Sequence, residues 1–319
     1  MTDYRRKREP SSKISGYFGL AIVVVLVFVA LSGVFKSSQK DDRETVSWDG
    51  RSAFYAVLNS DPVSFFIYNP TVKKITLLKL DDNLYVPTGE DGNPIEKLSD
   101  ITDESDGEGL TKTASGITRT AVLNYVMFDE PTTVDEKNLE KKFKQFASLT
   151  TPLKMIFGSG PVEDTNLALK DWYRLWWQVK SLSVNDISLV DASTNAEDIV
   201  LPKGDSVLGV DEVALHRLMG QYLEVHSVLE EGSQIEIVNS SGIYDWGQMA
   251  ADFVGASGGR VSVINESDLV NERTTIQVHS ENYTSSYLAK LFDCDITSVS
   301  SLEENQIRIV LGKDFGGLF

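Results

Sequence analysis

Apolar positions along this chain follow three different patterns. From Ile14 to Phe35 they are almost continuous: ISGYFGLAIVVVLVFVALSGVF, 22 residues with no acidic or basic side chain. About 20 apolar residues in a helix cross a hydrocarbon core of roughly 30 Å, and a helix satisfies its own backbone groups, so this segment is expected to span a membrane. Further on, short apolar and β-branched runs predict strands at Ser52–Leu58, Val63–Tyr68 and Lys73–Leu80, with Asn69-Pro70-Thr71 as a turn. Ala121–Phe128 and Asn185–Val190 read the same way, while Asp81–Leu110, rich in Asp, Glu, Gly and Ser, reads as an acidic loop.

The helical period takes over in between. Leu139, Phe143 and Phe146 make one stripe over Val134–Ala147. After a Gly/Pro link at Phe157–Pro161, Asp164 or Thr165 is the expected cap of a helix over Asn166–Val179. That helix carries Trp172, Tyr173, Trp176 and Trp177. Such rings usually pack in a core, but they also stack on sugars. They cannot all share one face, so Trp172 or Trp177 is expected to meet solvent, and these two are the candidate ligand contacts. Asp211 is expected to cap a further helix reaching Leu229, with Leu215, Leu218, Met219 and Leu223 on one side.

The last eighty residues are the most regular. Strands are predicted at Gln234–Asn239, Arg260–Asn265, Thr274–His279 and Gln306–Leu311, and helices at Tyr244–Val254 and Thr284–Phe292. The order β-α-β-β-α-β is that of a split βαβ unit, a four-stranded sheet with both helices on one face.

Charge gives the span a direction. Arg5, Arg6, Lys7, Arg8 and Lys13 precede it, whereas Lys36, Lys40 and Arg43 beyond it are balanced by Asp41, Asp42 and Glu44. The positive-inside rule keeps residues 1–13 in the cytoplasm and sends the rest across. Ala30-Leu31-Ser32 resembles a small-x-small cleavage site, so a signal peptide is the competing reading; the length of the apolar run favours an uncleaved anchor. The whole chain has a formal charge of −17, and setting aside the five basic and two acidic residues of the tail takes it to −20. An exported surface of that sign is repelled by nucleic acid, so no nucleic-acid partner is expected.

Little else announces chemistry. Cys294 is the single cysteine, so an intrachain disulfide is excluded and it reads as a small buried hydrophobe. His216 and His226 are ten residues apart, without metal-ligand spacing. Asp103–Gly109 (DESDGEG) lacks the EF-hand spacing, and no P-loop, dinucleotide or zinc-protease motif occurs. No metal ligand and no cofactor is assigned.

Two stretches resemble a known family. IEIVNSSG (Ile235–Gly242), GGRVSV (Gly258–Val263), TTIQVHSENYTSSYLAKLF (Thr274–Phe292) and IVLGKD (Ile309–Asp314) resemble the C-terminal domain of LytR proteins. FFIYNPTVKKITLLKL (Phe65–Leu80) resembles the paired strands of the LytR-CpsA-Psr catalytic domain. That resemblance implies bacterial envelope proteins that transfer a glycopolymer from a polyprenyl pyrophosphate to peptidoglycan, aided by a divalent metal. In active members the second strand runs into Ser-x-Pro-Arg-Asp followed by Tyr-Val, and the arginine binds the pyrophosphate. Here the run is Lys79-Leu80-Asp81-Asp82-Asn83-Leu84-Tyr85-Val86, with Asp82 in the arginine's place and Asn83 in the aspartate's. Asp61 stands where the resemblance implies a carboxylate near the first strand. Phosphoryl transfer depends on positioning and on cations that neutralise developing charge, and Asp82 has the wrong sign.

The chain therefore reads as α/β (α+β): a cytoplasmic tail (1–13), a transmembrane helix (14–35), a stalk (36–47), a degenerate LytR-CpsA-Psr-like mixed-sheet domain (48–230) and a LytR C-terminal-like βαββαβ domain (231–319). The leading expectation is a single-pass protein of the cytoplasmic membrane, its C-terminal domains outside. It binds or scaffolds peptidoglycan or wall glycopolymer, and no catalytic residue is assigned. A second reading is a divergent phosphotransferase whose cation site is rebuilt from Lys73, Lys74, Lys79 or Arg119, with Mg²⁺, around Asp61. A third is an envelope sensor, although a tail of 13 residues is too short for a folded output domain.

Overall fold

The structure is a computed structural model and describes residues 47–87, 95–104, 107–128, 133, 136–148, 162–201 and 204–318. The expected tail, the Ile14–Phe35 span, the stalk up to residue 46 and the Phe157–Pro161 link lie outside the described residues. Among the described residues no helix is long and apolar enough to cross a membrane.

Strands β1 (Phe54–Leu58), β2 (Ser64–Asn69) and β3 (Lys74–Lys79) form an antiparallel meander in the middle of a six-stranded sheet. β6 (Tyr125–Phe128) lies parallel beside β1, β7 (Val162–Thr165) pairs with β6, and β8 (Ile187–Asp191) lies parallel beside β3. The order is β7-β6-β1-β2-β3-β8.

The meander is apolar on both faces for a physical reason. Successive residues point to opposite sides, and each side here has its own core. Tyr55, Val57, Phe65, Ile67 and Leu78 enter one core, together with Leu110, Ala114 and Ile117 of α2 (Gly107–Thr118) and Leu215 and Met219 of α5 (Glu212–Leu223). Phe54, Ala56, Tyr68, Ile75 and Leu77 enter the other, where Phe143 and Phe146 of α3 (Glu136–Phe146) and Leu175 and Val179 of α4 (Leu169–Val179) pack.

A second sheet of four strands, β5-β4-β10-β9, flanks the first core. It comprises β4 (Tyr85–Pro87), β5 (Ile95–Lys97), β9 (Ala196–Val200) and β10 (Ser206–Val210). Together with α1 (Leu98–Glu104), β4, β5 and the start of α2 replace the expected acidic loop over Asp81–Leu110. Leu110, Ala114 and Ile117 supply a helical stripe, and the Thr111, Ser115 and Thr118 hydroxyls donate back to carbonyls of the preceding turn, which lets a Gly/Ser/Thr-rich stretch be buried as helix.

Two boundaries also differ. α4 begins after Ala168 without a side-chain cap, because Asp164 and Thr165 belong to β7. The helix from Asp211 ends at Leu223 and resumes as α6 (His226–Glu231); its cap is as expected, with Asp211 accepting from the Ala214 N–H at 2.9 Å.

The C-terminal unit corrects the expected split βαβ. β11 (Gln234–Asn239), α7 (Trp246–Ala256), β12 (Arg260–Glu266), β13 (Thr275–Val278), α8 (Tyr283–Leu291), β14 (Asp295–Ser298) and β15 (Gln306–Leu311) form a five-stranded sheet ordered β12-β11-β15-β13-β14. β11–β12 and β13–β14 are each parallel neighbours, so neither βαβ pair is split. The extra strand β14 is polar (DITS) and lies at an edge, where burial leaves no alternating pattern to read.

The two units share a boundary rather than a linker. Ala121 enters the C-terminal core, and Arg119 reaches both Glu212 on α5 (3.1 Å) and Asp252 on α7 (3.2 Å).

In IVLGKD, β15 ends beside the start of its antiparallel neighbour β13, and just beyond it Gly312 donates to Thr274 Oγ1 at 3.0 Å. A Cβ at Gly312 would collide with the Arg273 backbone, whereas one at Gly317 meets nothing. Overpacking against backbone costs about 1–3 kcal/mol. Gly312→Ala should therefore lower the urea midpoint by that equivalent, and Gly317→Ala should leave it near wild type.

Candidate functional site

The loop leaving β3 brings Asp82 and Asn83, singled out in the sequence, to the start of β2. Asp82 is half-buried; its Oδ1 accepts the N–H of the buried Val63 at 2.9 Å, while its own carbonyl accepts from the Ser99 N–H at 3.0 Å. The Asp61 carboxyl lies within hydrogen-bonding reach of Asp82, and Asp81 is close enough to repel it. Burial raises the Asp82 carboxyl above the usual aspartate range, and Asp61 and Asp81 add to this against the lowering effect of the Val63 N–H. Asn83 is exposed and turned to its own loop, its backbone N–H and Nδ2 both donating to Asp81 Oδ1 at 2.9 Å. Asp61, Asp81 and Asp82 thus bring three carboxyl groups together.

The basic residues weighed for a rebuilt cation site are dispersed. Lys74 pairs with Asn69 at one end of the β2–β3 ladder and Lys73 sits in the turn beside it. Lys79 pairs with Ser64 at the end where Asp82 lies, next to Asp191 on β8. Arg119 is held by Glu212 and Asp252. Among the described residues, no three His, Cys, Asp or Glu side chains are arranged to hold a metal ion. His216 Nδ1 lies 3.2 Å from the Thr118 carbonyl, and His226 pairs with Glu230. Cys294 is half-buried, and burial with the carboxylates of Asp314, Asp293 and Asp295 pushes its thiol up to about 12, so it is a poor nucleophile.

The aromatic helix separates its rings by face. Leu175, Trp176 and Val179 are buried, and Trp172 is half-buried against Phe146. Trp177 is 55 % exposed and Tyr173 54 %, with ring centroids 6.2 Å apart and planes 29° apart. Lys180 Nζ sits 3.2 Å from the centroid of the Trp177 ring. Tyr173 was not singled out from sequence; its i, i+4 spacing to Trp177 is the signal that marks it.

A cleft of about 360 Å³ lies where the two units meet, walled by Trp48, Tyr55 and Tyr287 with Arg51 and Lys290 at its rim. The Tyr283 hydroxyl donates across it to Asp49 Oδ2 at 2.8 Å. Burial acts to raise the Asp49 carboxyl, but the N–H groups of Ser52 and Arg51 and the Tyr283 and Ser52 hydroxyls outweigh it and hold it below the usual range. Nothing in the sequence pattern linked residues 49 and 283.

No family model matches the chain, and no curated protein matches it in sequence. Solved structures do. The chain is similar to TagV of Bacillus subtilis at 12% identity and a TM-score of 0.42, over 54% of this chain and 98% of that one. It is also similar to TagT bound to LIIa-WTA, and to the LytR-CPS2A-psr family protein YwtF (TagT) with bound octaprenyl pyrophosphate lipid. Both are 14% identical, with TM-scores of 0.37 and 0.36, over 56% of this chain and 92% of theirs. A TM-score below 0.5 does not by itself establish a shared fold.

Asp82 can be tested directly. Asp82→Ala removes the acceptor of a buried N–H and should cost about 1–3 kcal/mol in denaturant unfolding. Asp82→Asn keeps an acceptor for Val63 without the charge. Because the folded carboxyl is raised, the favourable contribution of Asp82 is fully present below its unfolded pKa and lost as pH rises through the folded one. Asp82→Asn should accordingly be more stable than wild type at pH 7, with the difference closing as pH falls through the carboxylate range.

Proposed function

We propose that this chain is a membrane-anchored, extracytoplasmic envelope protein that binds or scaffolds wall components and does not transfer phosphoryl groups. One observation carries the reading. At the position where the family resemblance implies a pyrophosphate-binding arginine, Asp82 is tied to the Val63 N–H and faces Asp61. A carboxylate so placed repels a pyrophosphate, and its fixed hydrogen bond keeps it from swinging aside. Arg119, the one arginine among the four basic residues weighed from sequence, is committed to Glu212 and Asp252.

The anchor follows from the Ile14–Phe35 run and its flanking charges, and the wall-side address from the resemblance of the two exported units.

The full chain in vesicles, given a lipid-pyrophosphate-linked glycopolymer, peptidoglycan and Mg²⁺, should show no transfer above a heat-inactivated control. The same preparation should co-sediment with peptidoglycan or anionic wall polymer. Transfer that disappears in Asp61→Ala would overturn the non-catalytic reading; absence of retention on either polymer would overturn the binding role.

A further inference from the structure

The exposed face of α4 has more order than an isolated pair of rings. Lys170, Tyr173, Trp177 and Lys180 follow one another at spacings of three, four and three residues, so they form one stripe along the helix. Lys170, Tyr173 and Trp177 are exposed, and Lys180 lies over the Trp177 ring. Basic side chains thus flank two adjacent aromatic rings. Trp and Tyr, apolar in body and polar at one end, concentrate at the level of lipid headgroups, with lysine stems beside them.

The location of the stripe is set by the chain itself. Ser47 Oγ donates to Asp171 Oδ1 at 3.1 Å, so the last residue of the expected stalk is fastened to the first turn of α4. From Phe35 to Ser47 the backbone reaches at most about 40 Å. Trp177 lies six residues beyond Asp171, about 9 Å along the helix axis. The stripe therefore stays within reach of the bilayer into which Ile14–Phe35 is expected to insert. A formal charge of −20 outside the tail opposes broad adhesion to an anionic surface, so contact must be local, at a patch with the opposite sign.

We infer that the Lys170–Tyr173–Trp177–Lys180 stripe of α4 rests in the headgroup region of the membrane that holds the anchor, fixing the orientation of the exported units. This rests on the anchored reading above. The five tryptophans are Trp48, Trp172, Trp176, Trp177 and Trp246, and none lies in the apolar span, so tryptophan emission reports on the folded part. Of these, only Trp177 has a largely exposed ring.

The test uses the full chain in phosphatidylcholine–phosphatidylglycerol vesicles with and without lipids brominated near the headgroup. Vesicle flotation reports the anchor, and bromolipid quenching reports the stripe. Wild type should float and be quenched. Trp177→Phe should float and lose most of the bromolipid-dependent quenching, and adding Tyr173→Trp to that variant should restore it. Failure to float overturns the anchored reading. Flotation with equal quenching in wild type and Trp177→Phe overturns the membrane contact alone. Protection of Trp177 from acrylamide by soluble peptidoglycan fragments, without bromolipid quenching, would assign the stripe to a glycan and likewise overturn it.

Discussion

Burial of β1–β3 on both faces is the constraint from which the rest of the larger unit follows. A strand covered on two sides has no solvent face on which to place polar residues, so charge is driven to the ends of the ladder. Asp61, Asp82 and Lys79 lie at one end, where β2 begins and the chain leaves β3, and Lys73 and Lys74 lie at the other. The sheet also dictates that helices cover both sides. α2 and α5 seal one core, while α3 and α4 seal the second. The outward face of α4 is thereby left free for the Tyr173–Trp177 pair.

Asp82 ties the loop after β3 to the start of β2. The contact made there is a hydrogen bond from the Val63 N–H, which a carboxylate accepts and an arginine could not. Its cost is electrostatic, since Asp61 and Asp81 crowd the same site. The neighbouring cleft has a different logic: Asp49 and Tyr283 belong to separate units, and their hydrogen bond, like the Arg119 pair of contacts, joins the units by direct side-chain ties.

Strong period-two and period-3.6 patterns were legible wherever a core imposed them. Phe54–Leu58, Ser64–Asn69, Lys74–Lys79, β11, β15 and most helices fall close to where their apolar spacing placed them. Elements without such a pattern were not legible. β4, β5 and β9 are short and pair at the margin of the second sheet, and β14 is a polar edge strand. α2 was hidden by its Gly, Ser and Thr content, because its hydroxyls return to their own helix instead of signalling a loop. Strand order in the C-terminal unit was misjudged for a related reason. The pattern of a strand reports that it is buried, but carries no information on which neighbour buries it.

By itself, the sequence determined the apolar run at Ile14–Phe35, its charge asymmetry, the three strands of the β1–β3 meander and the carboxylate at residue 82. Each of these is a property of residue type and local spacing. Only the tertiary structure decided that Asp82 bonds Val63, that Arg119 is spent on two carboxylates, and that Ser47 is fastened to α4 beneath Tyr173 and Trp177. Those are contacts between residues up to more than a hundred positions apart. Their partners are chosen by how the sheets and helices pack, which no local pattern encodes.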